Sequence, residues 1–427
     1  MDLRVGIDGH RDMLEQLFKA GVGRCLPRKV LPQLLPADAP RGRNIVLGAG
    51  KASAEMAAVA NDILKGTTVG LVATRHGHGA FSSTGDIEVI EAGHPVPDAY
   101  SFEAAEKMLK LAETATADDR VLFMFSGGGS ALLSAPIAGI SADRKQQITR
   151  FLLHSGAKID EINCVRKHLS RIKGGALAHR AANAELMTFV ISDVVGDDPS
   201  DIASGPSVPY QRDVRKASAI LERYNYPDVS VVAEAIRQAE QFDAPEHPIL
   251  VAATATMALD AIAAEAEIAG WKPISIGENL EGDASETGKA HAELALRYRD
   301  QAERVALISG GELTVQVNNR DGHGGPNLEY LASLMLSLDG ANGIEALACD
   351  SDGIDGSEDN AGGYVSPTSL QRASDKHVVV EDLLNNNDTY TCFQALGDLI
   401  VTGPTRTNIN DIRVILVDPN VRSGANA

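Results

Sequence analysis

The segment Ile45-Val46-Leu47-Gly48-Ala49-Gly50-Lys51-Ala52-Ser53 decides the class of fold. A short apolar run leads into a glycine turn and then a helix start. This is how α/β proteins present backbone N–H groups to an anion. Lys51 adds a mobile positive charge at the mouth of the turn. Two common loops are excluded. A Walker A loop needs a glycine where Ile45 stands and a hydroxyl where Ala52 stands. A dinucleotide fingerprint needs a third glycine at Ser53 and an acid about 20 positions on. Residues 66–79 contain no Asp or Glu. An anion-binding turn carrying a lysine remains, with a tight structural connection as the plainer alternative.

Working outward, apolar runs alternate with helical stretches over nearly the whole chain. Strands are predicted at 44–47, 69–74, 87–91, 121–125, 186–192, 249–253, 274–277, 305–309, 344–349 and 413–417. Helices are predicted at 52–64, 100–115, 141–156, 214–224, 257–269 and 284–298. The alternation implies α/β layers with mostly parallel sheets and sites at strand ends. Phe242-Asp243-Ala244-Pro245-Glu246-His247-Pro248 breaks helical periodicity, so the chain is divided into domains 1–240 and 241–427. The proline-rich stretch 198–210 reads as a loop, and the small polar tail from Asn420 is expected to fray.

The 427 residues suffice for two or three cored domains, and 44% apolar with only 4% aromatic residues suits close helix–sheet packing. A net charge of −19, from 39 Lys+Arg against 58 Asp+Glu, argues against nonspecific nucleic-acid or anionic-membrane partners. The cysteines, Cys25, Cys164, Cys349 and Cys392, fit neither a zinc pattern nor a disulfide framework, and favour a reducing compartment. The Met1-Asp2-Leu3-Arg4 start lacks a signal-peptide core, and no run reaches a membrane span. A cytoplasmic enzyme or binding protein is expected.

Several clusters stand out against that acidic background. Ser126-Gly127-Gly128-Gly129-Ser130 after a strand lets backbone approach a phosphate or carboxylate. Asn163 to Arg180 holds Arg166, Lys167, Arg171, Lys173 and Arg180 without an acid. Arg166, Ser170 and Lys173 are spaced for one helix face, as an anion subsite or a solvated basic face. Asp193, Asp197 and Asp198 end a strand, as a base or metal ligand requires. The run 350–359 resembles a calcium loop, but Ile354 occupies a ligand position, so Mg²⁺ beside phosphates fits better. His76, His78 and His94 are candidate acid–base groups or structural histidines.

In this order the segments resemble the glycerate 2-kinase family, the MOFRL-type enzymes often labelled hydroxypyruvate reductases. The matching stretches are 48–53, 91–98, 126–132, 161–178, 191–206, 309–312, 352–356 and 397–411. The resemblance implies a larger Rossmann-like N-terminal domain, a smaller MOFRL-type α/β domain, and an active-site cleft between them. It implies ATP and Mg²⁺, with phosphoryl transfer to the 2-hydroxyl of a glycerate-like acid, and a homodimer is among the assemblies it allows. Lys51 matches the family's active-site lysine, and Asp193 an aspartate that would align or deprotonate the hydroxyl. Binding residues would include Gly48, Gly50, Ser53, His94, Ser126, Gly127, Gly128, Gly129, Ser130, Asn163, Arg166, Lys167, Lys173, Glu312, Asn327, Glu329, Arg406 and Asn408. Asp197 and Asp352 would contact the metal.

Two positions depart from the family pattern. Pro326 stands where the family has an arginine, in Gly324-Gly325-Pro326-Asn327-Leu328-Glu329. Arg406 stands where the family has a glycine, in Gly403-Pro404-Thr405-Arg406-Thr407-Asn408. Independent drift explains both; so does a rearranged anion site serving another acid. The alternatives are therefore a kinase for a four-carbon or branched sugar acid, an NAD(P)-dependent hydroxypyruvate reductase, and an inactive anion-binding protein.

Overall fold

The structure, a computed structural model, describes residues 8–421 apart from 241, 302 and 357. Met1–Arg4, Gln241, Ser357 and the tail beyond 421 lie outside the described residues. The chain forms two compact units, Pro27–Ala253 and a second that joins the N-terminal segment up to Leu26 to Thr254 onward. These differ from the expected 1–240 and 241–427 at two places. Residues 249–253 complete the first sheet by pairing with Thr188–Ile191. The helix Asp8–Arg24 packs on the helix Ala255–Ile268 of the second unit, where Gln16 Nε2 donates to Glu265 at 2.6 Å. Sequence order does not reveal that a terminus docks across the chain.

Within Pro27–Ala253 the strands are β1 (Asn44–Ala49), β2 (Thr68–Arg75), β3 (Asp86–Ala92), β4 (Arg120–Phe125), β5 (Glu185–Ile191) and β6 (Ile249–Ala253). All pairings are parallel, in the order β3-β2-β1-β4-β5-β6. β1 and β4 are buried along their whole length, as expected of central strands covered on both faces. Ile45, Leu47, Phe123 and Phe125 join Met108 and Leu132 in the main core. A second core lies among the helices Ala142–His154, Ile159–His168, Val214–Arg223 and Val229–Gln238, built on Ile148, Leu152, Val165, Leu221 and Ile236.

The second unit corrects the expectation of mostly parallel sheets. Its strands are β7 (Lys272–Asp283), β8 (Val305–Thr314), β9 (Ile344–Asp350), β10 (Gly362–Val365), β11 (Leu399–Ile400) and β12 (Asp411–Val417). The order is β11-β10-β9-β12-β8-β7, and only β7 and β8 pair in parallel. β12 enters antiparallel between β8 and β9 and sets Asp411 opposite both Asp350 and Gly311. The short β10 and β11 escaped sequence reading because four and two residues carry no usable periodicity.

Candidate active site

In a sheet of this order, chain direction reverses its lateral progress between β1 and β4, and ligands bind beyond the carboxyl ends at that switch point. Both glycine turns lie there. Gly50 N donates to Ala73 O, Lys51 N to Gly127 O at 2.9 Å, and Ser126 N to Ala49 O. The two turns are thereby tied into one surface. Gly50 has a φ of 145°, and a Cβ there would fall 2.1 Å from Ser126 Oγ. Gly128, at φ 80°, is a second place where only glycine fits. A Cβ on it would lie 3.0 Å from His94 Nε2 and 3.4 Å from Lys51 Cγ. Lys51, His94 and the second glycine turn thus meet, although 77 residues of chain separate Lys51 from Gly128.

Other predicted residues hold the turns. Gly48 lies within β1, opposite Val72 and Met124. Ser53 is fully buried, and its hydroxyl donates to Met124 O at 2.9 Å. That bond fastens the helix Ser53–Ile63 to the sheet, so Ser53 is structural here. Ser126 Oγ accepts from Ala52 N at 2.9 Å. Gly129 opens the short helix Gly129–Leu132, and Ser130 hydrogen-bonds Ser204. Asp193 is half-buried two residues beyond the end of β5, with Asp197 farther out at φ 54°. Asn163 Nδ2 donates to Asp201 at 3.1 Å, and buried Lys167 lies 3.6 Å from the same carboxylate and over the Tyr210 ring. These two residues hold the 200–201 segment.

The basic stretch divides. Arg171 pairs with Glu106, and Arg180 with Glu113 and Glu240, as an ordinary basic face would. Arg166 and Lys173 instead line a cavity of about 310 Å³ with Ser130, Lys145 and Pro95–Pro97. They do not share one helix face: the helix ends at His168, and Lys173 comes back through the turn that follows. Lys173 is 2% exposed and donates to Ser130 O at 2.6 Å and Oγ at 2.9 Å. Burial, with repulsion from Lys145, Arg166 and Lys167, holds its ammonium well below the usual lysine range. Lys145 was missed from sequence. Burial and then Arg166 lower it to about 7. Its signal was there: Lys145, Ile148 and Leu152 form the buried stripe of one helix, an odd place for lysine.

In the second unit, three predicted loops interlock. Thr405 N donates to Asp352 O at 2.9 Å, and Ile409 N to Ser351 Oγ at 2.8 Å. Asp355 accepts from Asn327 N and Leu328 N, both at 3.0 Å, and so caps the helix Pro326–Leu338. Pro326 is the first helical residue, where proline's fixed φ and missing N–H are tolerated. Asn327 Nδ2 reaches Asp411 at 2.7 Å, and Arg413 holds the other Asp411 oxygen at 2.9 Å. Burial raises Asp355 to about 7. Glu329 accepts from Ser285 and Asn387, Glu312 is exposed on β8, and Asn408 is buried. Arg406 occupies a left-handed φ of 64° and donates to Pro404 O. Asp352 is buried, with Oδ1 accepting from Ile354 N. Among the described residues no three His, Cys, Asp or Glu side chains gather as a metal site.

A doubly wound parallel sheet with two glycine turns and a lysine at its switch point places the chain among α/β proteins whose ligands bind at that crevice. Known proteins narrow the class. A family described as a domain of unknown function (DUF4147) matches residues 13–239, and the MOFRL family matches 305–411. A Thermotoga maritima protein named D-glycerate 2-kinase is 35% identical over 411 residues, spanning 94% of this chain and 97% of its own. The crystal structure of a glycerate kinase from that organism matches with a TM-score of 0.84 at 33% identity, covering 96% of this chain and all of the other. An Agrobacterium vitis relative provisionally named a hydroxypyruvate reductase is 45% identical over 417 residues, 95% of this chain and 94% of its own. The chain belongs to the glycerate 2-kinase family, with its MOFRL portion in the C-terminal half.

Proposed function

We propose that the protein transfers the terminal phosphoryl group of ATP to the 2-hydroxyl of a small hydroxy acid, D-glycerate first, giving 2-phosphoglycerate. The observation that carries this is the meeting of Lys51, His94 and Gly128 at the switch point of the parallel sheet. Phosphoryl transfer asks little covalent chemistry of a protein; it needs cradled phosphates, cations against developing charge, and alignment of the hydroxyl. The turns supply the cradle and Lys51 the cation. Asp193 aligns or deprotonates the acceptor hydroxyl, and Arg406 is the second unit's candidate for an anionic oxygen. Mg²⁺ keeps much of its water and needs only one or two carboxylates beside phosphates, so a protein-only cage is not required. It neutralises phosphate charge when bound, and Asp197 and Asp352 are the proposed contacts.

No helix among the described residues is long and apolar enough to cross a membrane, and all four cysteines are buried free thiols. A cytoplasmic location is part of the same proposal. An ADP-release assay across glycerate, erythronate, threonate and tartronate, beside NADH-linked hydroxypyruvate reduction, tests the proposal. ADP release with glycerate and no NADH oxidation is expected. A preferred four-carbon acid would move the acceptor assignment, and NADH oxidation without ADP release would overturn the kinase.

A further inference from the structure

The cavity beside Ser130 gathers like charge out of water. Lys145 is 8% exposed, and its Nζ has no hydrogen-bond partner. Lys173 is buried deeper and reaches only Ser130. Arg166 makes no ion pair among the described residues, and no Asp or Glu lines the cavity. Buried charges are normally paired, because desolvating an ion is expensive without a counter-charge. In a chain with 58 acidic residues, pairing partners are plentiful, yet this cluster has none. An occupant bearing anionic oxygens would complete it. At about 310 Å³ the space suits a compact molecule, and Pro95, Val96 and Phe102 offer apolar contact to a short carbon chain. The lining also continues directly into the reacting region: Pro95 follows His94, and Ser130 follows the turn that Lys51 touches.

We infer that this cavity binds the acid end of the acceptor, a short hydroxy-carboxylate, with its carboxylate on Arg166 and Lys145. Lys173 positions Ser130 rather than the ligand. The guanidinium fork matches a carboxylate in two parallel bonds, while Lys145 adds a point charge. The inference rests on the kinase reading and adds where the acceptor's acid group is held.

Lys145→Met and Arg166→Gln test it through calorimetric titration with D-glycerate, inorganic phosphate and ATP, beside ADP-release kinetics. Each variant should weaken glycerate binding and raise its KM by at least about tenfold, the loss of one charge-assisted contact, with the KM for ATP nearly unchanged. Lys145→Met should also raise the thermal midpoint of the ligand-free protein, because an unsatisfied buried amine is replaced by an apolar chain. Should Lys145→Met fail to fold, Arg166→Gln carries the test alone. Unchanged glycerate binding in the folded variants overturns the inference, and so does an equal rise in the KM for ATP. Tight phosphate binding that glycerate does not compete overturns it as well. If no acid yields ADP but glycerate still binds through Lys145 and Arg166, the kinase reading falls and the acid pocket stands.

Discussion

Two regions, one in each unit, treat buried charge in opposite ways. Around Asp355 and Asp411 the carboxylates are answered from within the chain: two backbone N–H groups, Asn327 and Arg413 account for them, and Arg413 also bonds the Gly310 and Gly311 carbonyls at 3.0 and 2.9 Å, leaving only its Nε without a partner. Around Lys145 and Arg166, like charges face one another with no acid. A satisfied network makes a fold unique; an unsatisfied one waits for a ligand. Charge on its own therefore identifies no site. The missing partner does.

The largest expected effect is at the lysine adjoining the unsatisfied region. Lys51→Ala should lower kcat by about 10²–10³, the usual loss for one preorganised transition-state contact, with the thermal midpoint held. A folded variant of near wild-type kcat would remove Lys51 from the chemistry. Arg406 sharpens the contrast, since it is a cation in the unit of answered charges. Its φ of 64° is strained for any residue with a Cβ. Arg406→Gly should thus stabilise the fold by about 1 kcal/mol, while lowering kcat/KM for the acceptor at least about tenfold, as loss of a charged contact does. Pro326→Arg in that background should restore some turnover of glycerate. Unchanged acceptor kinetics would make both departures drift.

At Asp355 the prediction reverses. Asp355→Ala strands two buried N–H groups at a helix start and should cost about 2 kcal/mol in chemical denaturation, with the KM for acid and nucleotide unmoved in the folded fraction. A shifted acid KM would blur the distinction between the two regions.

The smallest effect is in the pH dependence of ligand-free stability. Asp355 is raised from 3.8 to about 7, so the native state holds the extra proton in that window, and its contribution falls as pH rises from about 4 to 7. Lys145 is lowered from 10.5 to about 7, so the unfolded state holds the extra proton, and stability rises from about 7 towards 10.5. Arg166 faces Lys145, and Asp411 faces Asp355, adding to each shift. Denaturation across pH should show Asp355→Asn flattening the acid limb and Lys145→Met the alkaline one. Unaltered limbs would mean that neither group titrates there.

Much of the first sheet was legible because parallel strands buried on both faces leave unbroken apolar runs, as in Ile45-Val46-Leu47 and Val121-Leu122-Phe123. The glycine turns were legible as glycine runs straight after apolar strands, and a Cβ at Gly50 would fall 2.1 Å from Ser126 Oγ, so no side chain is admitted there. The sequence by itself determined those turns, the lysine beside them and the α/β class. Only the tertiary structure decided that Lys51, His94 and Gly128 meet, that β12 runs antiparallel, that Ser53 is a fastening, and that Lys145 joins Arg166. Local patterns record what each residue does to its own helix or strand. Whether a buried charge finds a partner depends on chain segments far apart in sequence, and that pairing is set only when the layers pack.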